Sequence, residues 1–278
     1  MISRRIARLA IAALLLVLPV AGHADPATQS ITLASTTSVD NSGLLAAILP
    51  AFTKATGISV RVLALGTGQA LDTACRGDGD LVLVHDPEAE QKFIDDGNGI
   101  NRRQIAWNDF IIVGPQSDPA HVVGTHDGVA ALKAIAAAKA AFVSRGDRSG
   151  TNALELRLWK VADIDPKTGA GTWYREIGGG MGQALNAAAA MPAYTLSDRG
   201  TWLSFQNKQT LVIVVQGDAH LINRYNVIEL NPAKHPDAKL AAAHRFADWL
   251  VSADGQAAIG AFRVGDEQLF NPSADHPK

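Results

Sequence analysis

The chain has 278 residues, 47% of them hydrophobic and 19% charged, with 25 glycines, 12 prolines, a single cysteine and a formal net charge of −2. That mixture excludes a disordered chain, a collagen-like repeat and a disulfide-built miniprotein, and the lack of a basic excess speaks against nucleic-acid binding. At roughly 100–200 residues per domain the length predicts two lobes, each large enough to bury its own core.

Arg4, Arg5 and Arg8 precede an apolar stretch at residues 9–20, and the small residues Gly22 and Ala24 follow two apart. A basic start, a short apolar core and small residues at the end make a signal-peptide pattern, and the stretch is shorter than the roughly 20 residues a bilayer-spanning helix needs. Cleavage after Ala24 would leave 22 basic against 27 acidic residues, a net charge of −5. No cysteine stands there to take a lipid, so a soluble periplasmic protein is expected.

Residues 30–34 read as a short strand, and Leu44, Leu45, Ile48, Leu49 and Phe52 fall on one face of a helix that Gly57 ends. Residues 58–65 alternate as a strand, Gly66-Thr67-Gly68 turns, residues 69–76 form a short helix and residues 80–85 an apolar strand. This βαβαβ rhythm predicts a parallel sheet with helices on its faces. The one cysteine, Cys75, follows Ala70, Leu71 and Ala74 and is expected as a buried structural thiol. The histidines are scattered, His121 and His126 being the closest pair, and no metal-ligand spacing is visible.

Residues 110–113 give another strand. A second α/β unit follows: a helix at 129–139, a strand at 141–144, a helix at 152–160, glycine-rich loops over 168–182, a helix at 183–190 and a short strand at 194–197. Residues 211–215 are an apolar, β-branched run, and residues 240–262 read as one helical stretch. A chain that leaves one lobe, builds a second and returns needs two crossovers, for which 110–113 and 211–215 are suited. The expected lobes are 25–112 with 216–278, and 113–215, with a ligand cleft between them.

Three segments share one local design, with hydroxyls and glycines where an extended stretch hands over to a helix. They are Ser35-Thr36-Thr37-Ser38, Gly66-Thr67-Gly68, and residues 144–151 (SRGDRSGT). Helix starts expose unpaired N–H groups with partial positive charge, hydroxyls add donors, and glycine lets backbone approach closely. Taken alone each segment reads more readily as an N-cap. Their position at the carboxyl ends of parallel strands, the edge where open α/β sheets bind ligands, points to an oxyanion pocket. Arg145 adds a permanent cation able to grip two oxygens, and an ion pair with Asp147 is the equal alternative. Arg148 reads as solvated, and the Arg-Gly-Asp tripeptide at 145–147 as an accident of composition.

The set formed by Ser35-Thr36-Thr37-Ser38, residues 66–71 (GTGQAL), 81–86 (LVLVHD), 108–115 (NDFIIVGP), Ser144-Arg145-Gly146-Asp147 with Ser149-Gly150-Thr151, and 194–201 (YTLSDRGT) resembles the TupA family of tungstate-binding proteins. The resemblance runs over nearly all of the chain after the leader. It implies an α/β, two-lobed type II periplasmic-binding-protein fold. It also implies capture of tungstate, and of molybdate, for the permease of an ABC importer in the inner membrane. The residues it assigns to the oxyanion are Thr36, Thr37, Ser38, Thr67, Arg145, Ser149 and Thr151. The chain departs from the family pattern at Ser35, where threonine is usual, and at Asn152, where histidine is common. On this reading the protein is a monomeric receptor and no enzyme, with no cofactor and no direct cation site, since tungsten arrives as an oxyanion. A phosphate receptor is the nearest alternative. A secreted hydrolase with Ser149 or Ser38 as nucleophile is the other, opposed by the lack of a G-x-S-x-G elbow and of a histidine in a base motif. A nucleotide enzyme fits poorly, because Gly66-Thr67-Gly68 lacks a third glycine and no Walker sequence is present.

Overall fold

A computed structural model describes residues 29–274; the leader and cleavage point expected at residues 1–24 lie outside the described residues. The first elements are β1 (Ser30–Thr36), α1 (Thr37–Asn41), α2 (Leu44–Thr56), β2 (Ser59–Leu65), α3 (Thr67–Cys75) and β3 (Leu81–Val84). β1 runs parallel to β2 and to β3, so Thr36 is level with Leu65 and Ser35 with Leu83. The carboxyl ends of the three strands therefore reach one edge together, which puts Thr36, Gly66 and His85 side by side. α2 buries Leu44, Leu45, Ile48 and Phe52, and Gly57, at φ +72°, closes it with an N–H to the Thr53 carbonyl. Each such buried side chain stabilises the lobe by roughly 1.5–3 kcal/mol.

Cys75 is a correction. It is exposed, because Ala70, Leu71 and Ala74 hold the buried stripe of α3 and the next residue is rotated about 100° away from it.

The chain continues through α4 (Pro87–Asp95), β4 (Gly99–Pro115), α5 (Gly128–Ala137), β5 (Phe142–Ser144), α6 (Gly150–Val161), β6 (Tyr174–Glu176), α7 (Met181–Ala190), β7 (Thr195–Asp198), α8 (Arg199–Ser204), β8 (Leu211–Val215), β9 (Ile222–Leu230), α9 (Leu240–Val251) and α10 (Ala253–Ala261). α4 is capped by Asp86 with Pro87 in its first turn. β4 is 17 residues long. Its first part pairs antiparallel with β9, from Gly99 opposite Leu230 to Asp109 opposite Ile222. Its last part pairs with β7 and β8. The first lobe's sheet has the order Asn271–Pro272, β4, β9, β3, β1, β2. In the second lobe β7 and β8 flank β4, β5 joins β7 through Val143 N–H to the Tyr194 carbonyl, and β6 lies parallel beside β5.

Residues 110–113 do mark the outward crossing, but they are the end of a much longer strand. The run at 211–215 stays in the second lobe as β8, and the strand that returns is β9. The glycine-rich segment 168–182 is not all loop: Tyr174 is buried against Phe142 and Trp159 and anchors β6. Residues 240–262 form two helices, not one. Ser252 ends α9 and caps α10 by accepting from Gly255 N–H, and any Cβ at 255 would collide with the Trp249 carbonyl.

Each lobe has an apolar cluster on both faces of its sheet, one holding Phe52, Phe246 and Ile259 and its opposite Val82, Val84 and Ile228. In the second lobe, Phe142, Trp159 and Tyr194 lie on one side and Leu185, Ala188 and Trp202 on the other. Polar chemistry is thereby left to the strand ends. Among the described residues no helix is long and apolar enough to cross a membrane.

Candidate functional site

Between the lobes lies a cavity of about 440 Å³. Thr37, Ser38, Asn41 and Ser42 line it from the first lobe, and Arg145, Gly180, Met181, Gly182, Asp198 and Thr201 from the second. Among the described residues lining it, Arg145 is the one basic side chain. Arg199 on α8 is held bidentately by Asp109 at 2.6 and 2.7 Å where β4 crosses between the lobes. A larger groove, about 720 Å³, lies on the first lobe beside Glu90, Arg102 and Arg224. It contains none of the hydroxyl motifs, so the interlobe cavity is the better candidate.

The predicted residues take distinct places. Thr37 and Ser38 are exposed on α1 and face the cavity. Thr36 is buried, caps α1 by accepting from Val39 N–H, and has its hydroxyl 3.0 Å from Ser38 Oγ. Thr67 opens α3, and a Cβ built on Gly150 would lie 3.9 Å from its hydroxyl and 3.2 Å from His85 Cε1. The N-termini of α3 and α6 thus meet across the lobes, and glycine at 150 permits that approach.

Ser149 caps α6 through Asn152 N–H, and Thr151 is buried with its hydroxyl accepting from Arg145 Nη1 at 3.4 Å. Ser149 and Thr151 are thereby occupied in building the loop, while Arg145 presents the charge.

Arg145 makes the expected ion pair and also lines the cavity. Its Nε and Nη2 donate to Asp147 Oδ2, and its guanidinium still lines the cavity. Asp147 Oδ1 accepts Ser149 N–H. Burial pushes the Asp147 carboxyl up, but hydrogen bonds from Ser149 and the charge and bonds of Arg145 outweigh it and hold the pKa below its ordinary value. Asp147 therefore positions the arginine.

Beneath the loop, Ser144 Oγ donates to Glu155, which also accepts from Trp159 Nε1 and Tyr174 Oη. Burial lifts Glu155 to about 7 against the bonds from Ser144, Tyr174, Trp159 and Asn152. Asn152 is buried and ties Arg148 N–H to Ser144 Oγ, so it braces the loop from below.

Three features escaped the sequence reading. His85 directly follows β3, with Nε2 3.0 Å from Ser38 Oγ. Gly180 to Gly182, at the start of α7, bring another helix N-terminus to the cavity. Asp198 lines the same wall with its oxygens accepting Thr201 N–H and Oγ1–H, each at 2.7 Å. The adjacent hydroxyls and glycines were legible; their convergence was a matter of which strands are neighbours.

Two α/β lobes joined by long shared strands, with a polar cleft between them, define a periplasmic-binding-protein architecture. In agreement, residues 21–254 match the PBP superfamily domain, and the chain belongs to that superfamily. Within it the chain belongs to the TupA family. It is 44% identical to the tungstate-binding protein TupA of Peptoclostridium acidaminophilum, an alignment covering 89% of this chain and 87% of that one. The solved TupA of Desulfovibrio alaskensis is 43% identical with a TM-score of 0.83, covering 89% and 100% of the two chains. The tungstate ABC transporter structure from Geobacter sulfurreducens is 44% identical with a TM-score of 0.74, covering 84% and 98%.

Proposed function

We infer that this protein captures tungstate, and molybdate as a close analogue, in the interlobe cleft and delivers it to the permease of an ABC importer. The carrying observation is the guanidinium of Arg145, locked by Asp147 and aimed into a cavity whose opposite wall is Thr37 and Ser38. A tetrahedral dianion placed there meets one fixed cation, hydroxyl donors and the N-terminus of α7. Enclosure strengthens each of these bonds by excluding water. Thr36, Thr67, Ser149 and Thr151 belong to the same site as its frame. Lobe boundaries at 112/113 and 215/216, removal of the leader, a periplasmic location and a monomeric state complete the reading, which needs no cofactor and no cation.

Asp198 supports phosphate as the competing ligand, since a carboxylate on the wall could accept from a protonated anion; against it, both oxygens already accept from Thr201. The hydrolase reading gains a serine–histidine contact at Ser38, but Asn223 backs the ring with a neutral amide where a base needs a carboxylate. Titration calorimetry of residues 25–278 against tungstate, molybdate, sulfate and phosphate tests the proposal. Tungstate binding at least tenfold tighter than sulfate and phosphate is expected; phosphate binding most tightly would overturn it.

A further inference from the structure

Ser38 Oγ is not free in the cleft. It stands 3.0 Å from His85 Nε2 and 3.0 Å from Thr36 Oγ1. The direction of these bonds follows from the far side of the imidazole. Asn223 uses its amide hydrogens on Asn108 Oδ1 at 3.0 Å and Tyr225 Oη at 2.7 Å. The oxygen it turns to His85 Nδ1, 3.0 Å away, can only accept, so Nδ1 carries the proton. In the neutral ring Nε2 is then bare and takes the Ser38 hydroxyl proton. Thr36, already accepting from Val39 N–H, donates to Ser38 in turn. Both hydroxyl protons point inward, and an arriving anion would face the lone pairs of Ser38.

We propose that His85 is a positioning residue that couples anion capture to the uptake of one proton. On entry of a dianion, His85 takes a proton from the buffer at Nε2 and donates that N–H to Ser38 Oγ. Ser38 turns its own O–H onto an anion oxygen, and Thr36 keeps donating to Ser38. The protein, the anion and one proton give the complex, with no other bond made or broken.

The bound anion supplies the counter-charge that the neutral Asn223 amide cannot. Asp86 at the cap of α4 and Asp198 on β7 favour the charged ring, while Arg157 on α6, Arg224 on β9 and His220 share the small cavity beside it. Tyr225 on β9 packs its ring against the imidazole with centroids 5.0 Å apart. Arg157 is paired with Asp86 at 3.5 Å, and His220 with Asp218 at 3.0 Å.

Before binding, burial holds the ring neutral by pushing its pKa down, ahead of the opposing Asn223 bond and the two carboxylates. Dianion binding raises it. Affinity therefore climbs as pH falls, by up to about tenfold per pH unit between the free and bound values, where one proton is taken up.

The inference rests on the proposed tungstate reading, and the test separates the two. Tungstate binding is titrated calorimetrically over pH 6–8.5 in paired buffers of different ionisation enthalpy, for the natural chain and for His85→Gln. The expected result is binding by both, with proton uptake and a pH slope in the natural chain and neither in the variant. Binding by the natural chain with no buffer dependence and flat affinity would overturn the role of His85, as would uptake that persists in His85→Gln. No tungstate binding at any pH would overturn the ligand instead. Should the variant fail to fold, nitrogen NMR of labelled histidine in the natural chain decides. An Nδ1–H tautomer that becomes imidazolium on adding tungstate supports the proposal, and a ring neutral in both states contradicts it.

Discussion

The two walls of the cleft are built on different principles. The first lobe offers Thr37, Ser38, Asn41 and Ser42, all uncharged, backed by the neutral chain of His85, Asn223, Asn108 and Tyr225. The second offers Arg145 and Asp198, backed by ionisable groups: Asp147 on the arginine and Glu155 under the loop. One wall supplies direction and shape, the other supplies charge. A net charge of −5 after loss of the leader would repel an anion at long range, so the attraction has to come from groups at contact distance, with Arg145 and oriented dipoles in place beforehand and the His85 proton arriving with the anion.

The contrast is broken most severely at Arg145. Arg145→Ala should weaken tungstate binding by about 2–5 kcal/mol, because it removes the one basic side chain among the described residues lining the cavity and leaves the half-buried Asp147 without its cation. Arg145→Lys should recover only part of this loss, since an ammonium cannot reproduce the planar fork. Both are read by calorimetry, and an alanine variant of unchanged affinity would place the charge elsewhere.

Next is the support beneath that wall. Glu155→Ala strips Ser144, Trp159 and Tyr174 of a shared buried acceptor and should cost about 3 kcal/mol of unfolding free energy in urea denaturation. On the neutral wall, Thr37→Ala removes a single exposed donor and should cost only about 1 kcal/mol of binding. A loss equal to that of Arg145→Ala would make the two walls equivalent.

How much of this was legible follows the same division. β1, β2, β3, α2 and α3 showed plain apolar periods and turn residues, so the hydroxyl wall could be drawn from sequence. The crossing strands could not. Asn101, Arg102, Arg103 and Gln104 hide the pairing of β4, and β9 carries the buried Asn223 and Glu229 and the half-buried Asn226, of which Asn223 and Asn226 bond to partners more than 100 residues away. His85 read as no more than the last residue of an apolar strand until β9 brought Asn223 behind it. Arg145 carried two equal readings because one loop both pairs it with Asp147 and leaves it lining the cavity.

A separate expected effect concerns pH and is read in stability rather than in binding. Burial lifts Glu90 to about 8, against the charge of Arg102 and a bond from Asn226, and Glu155 to about 7. Each is raised above its unfolded value, so the stability it contributes is whole below roughly pH 4.5 and is lost as pH rises through 7 for Glu155 and 8 for Glu90. Glu90→Gln should flatten the upper part of that decline in melts between pH 5 and 8.5, leaving the Glu155 part in place. An unchanged slope would show that Glu90 is ionised in the folded protein.

The central claim is that the anion sits between a charged wall and one that is neutral until the anion arrives. A crystal of residues 25–278 grown with tungstate, measured at the tungsten absorption edge, tests it most directly. The account predicts one anomalous peak in the interlobe cavity, within hydrogen-bonding reach of both the Arg145 guanidinium and Ser38. A peak against the Arg102 and Arg224 groove, or one touching only a single lobe, would contradict it.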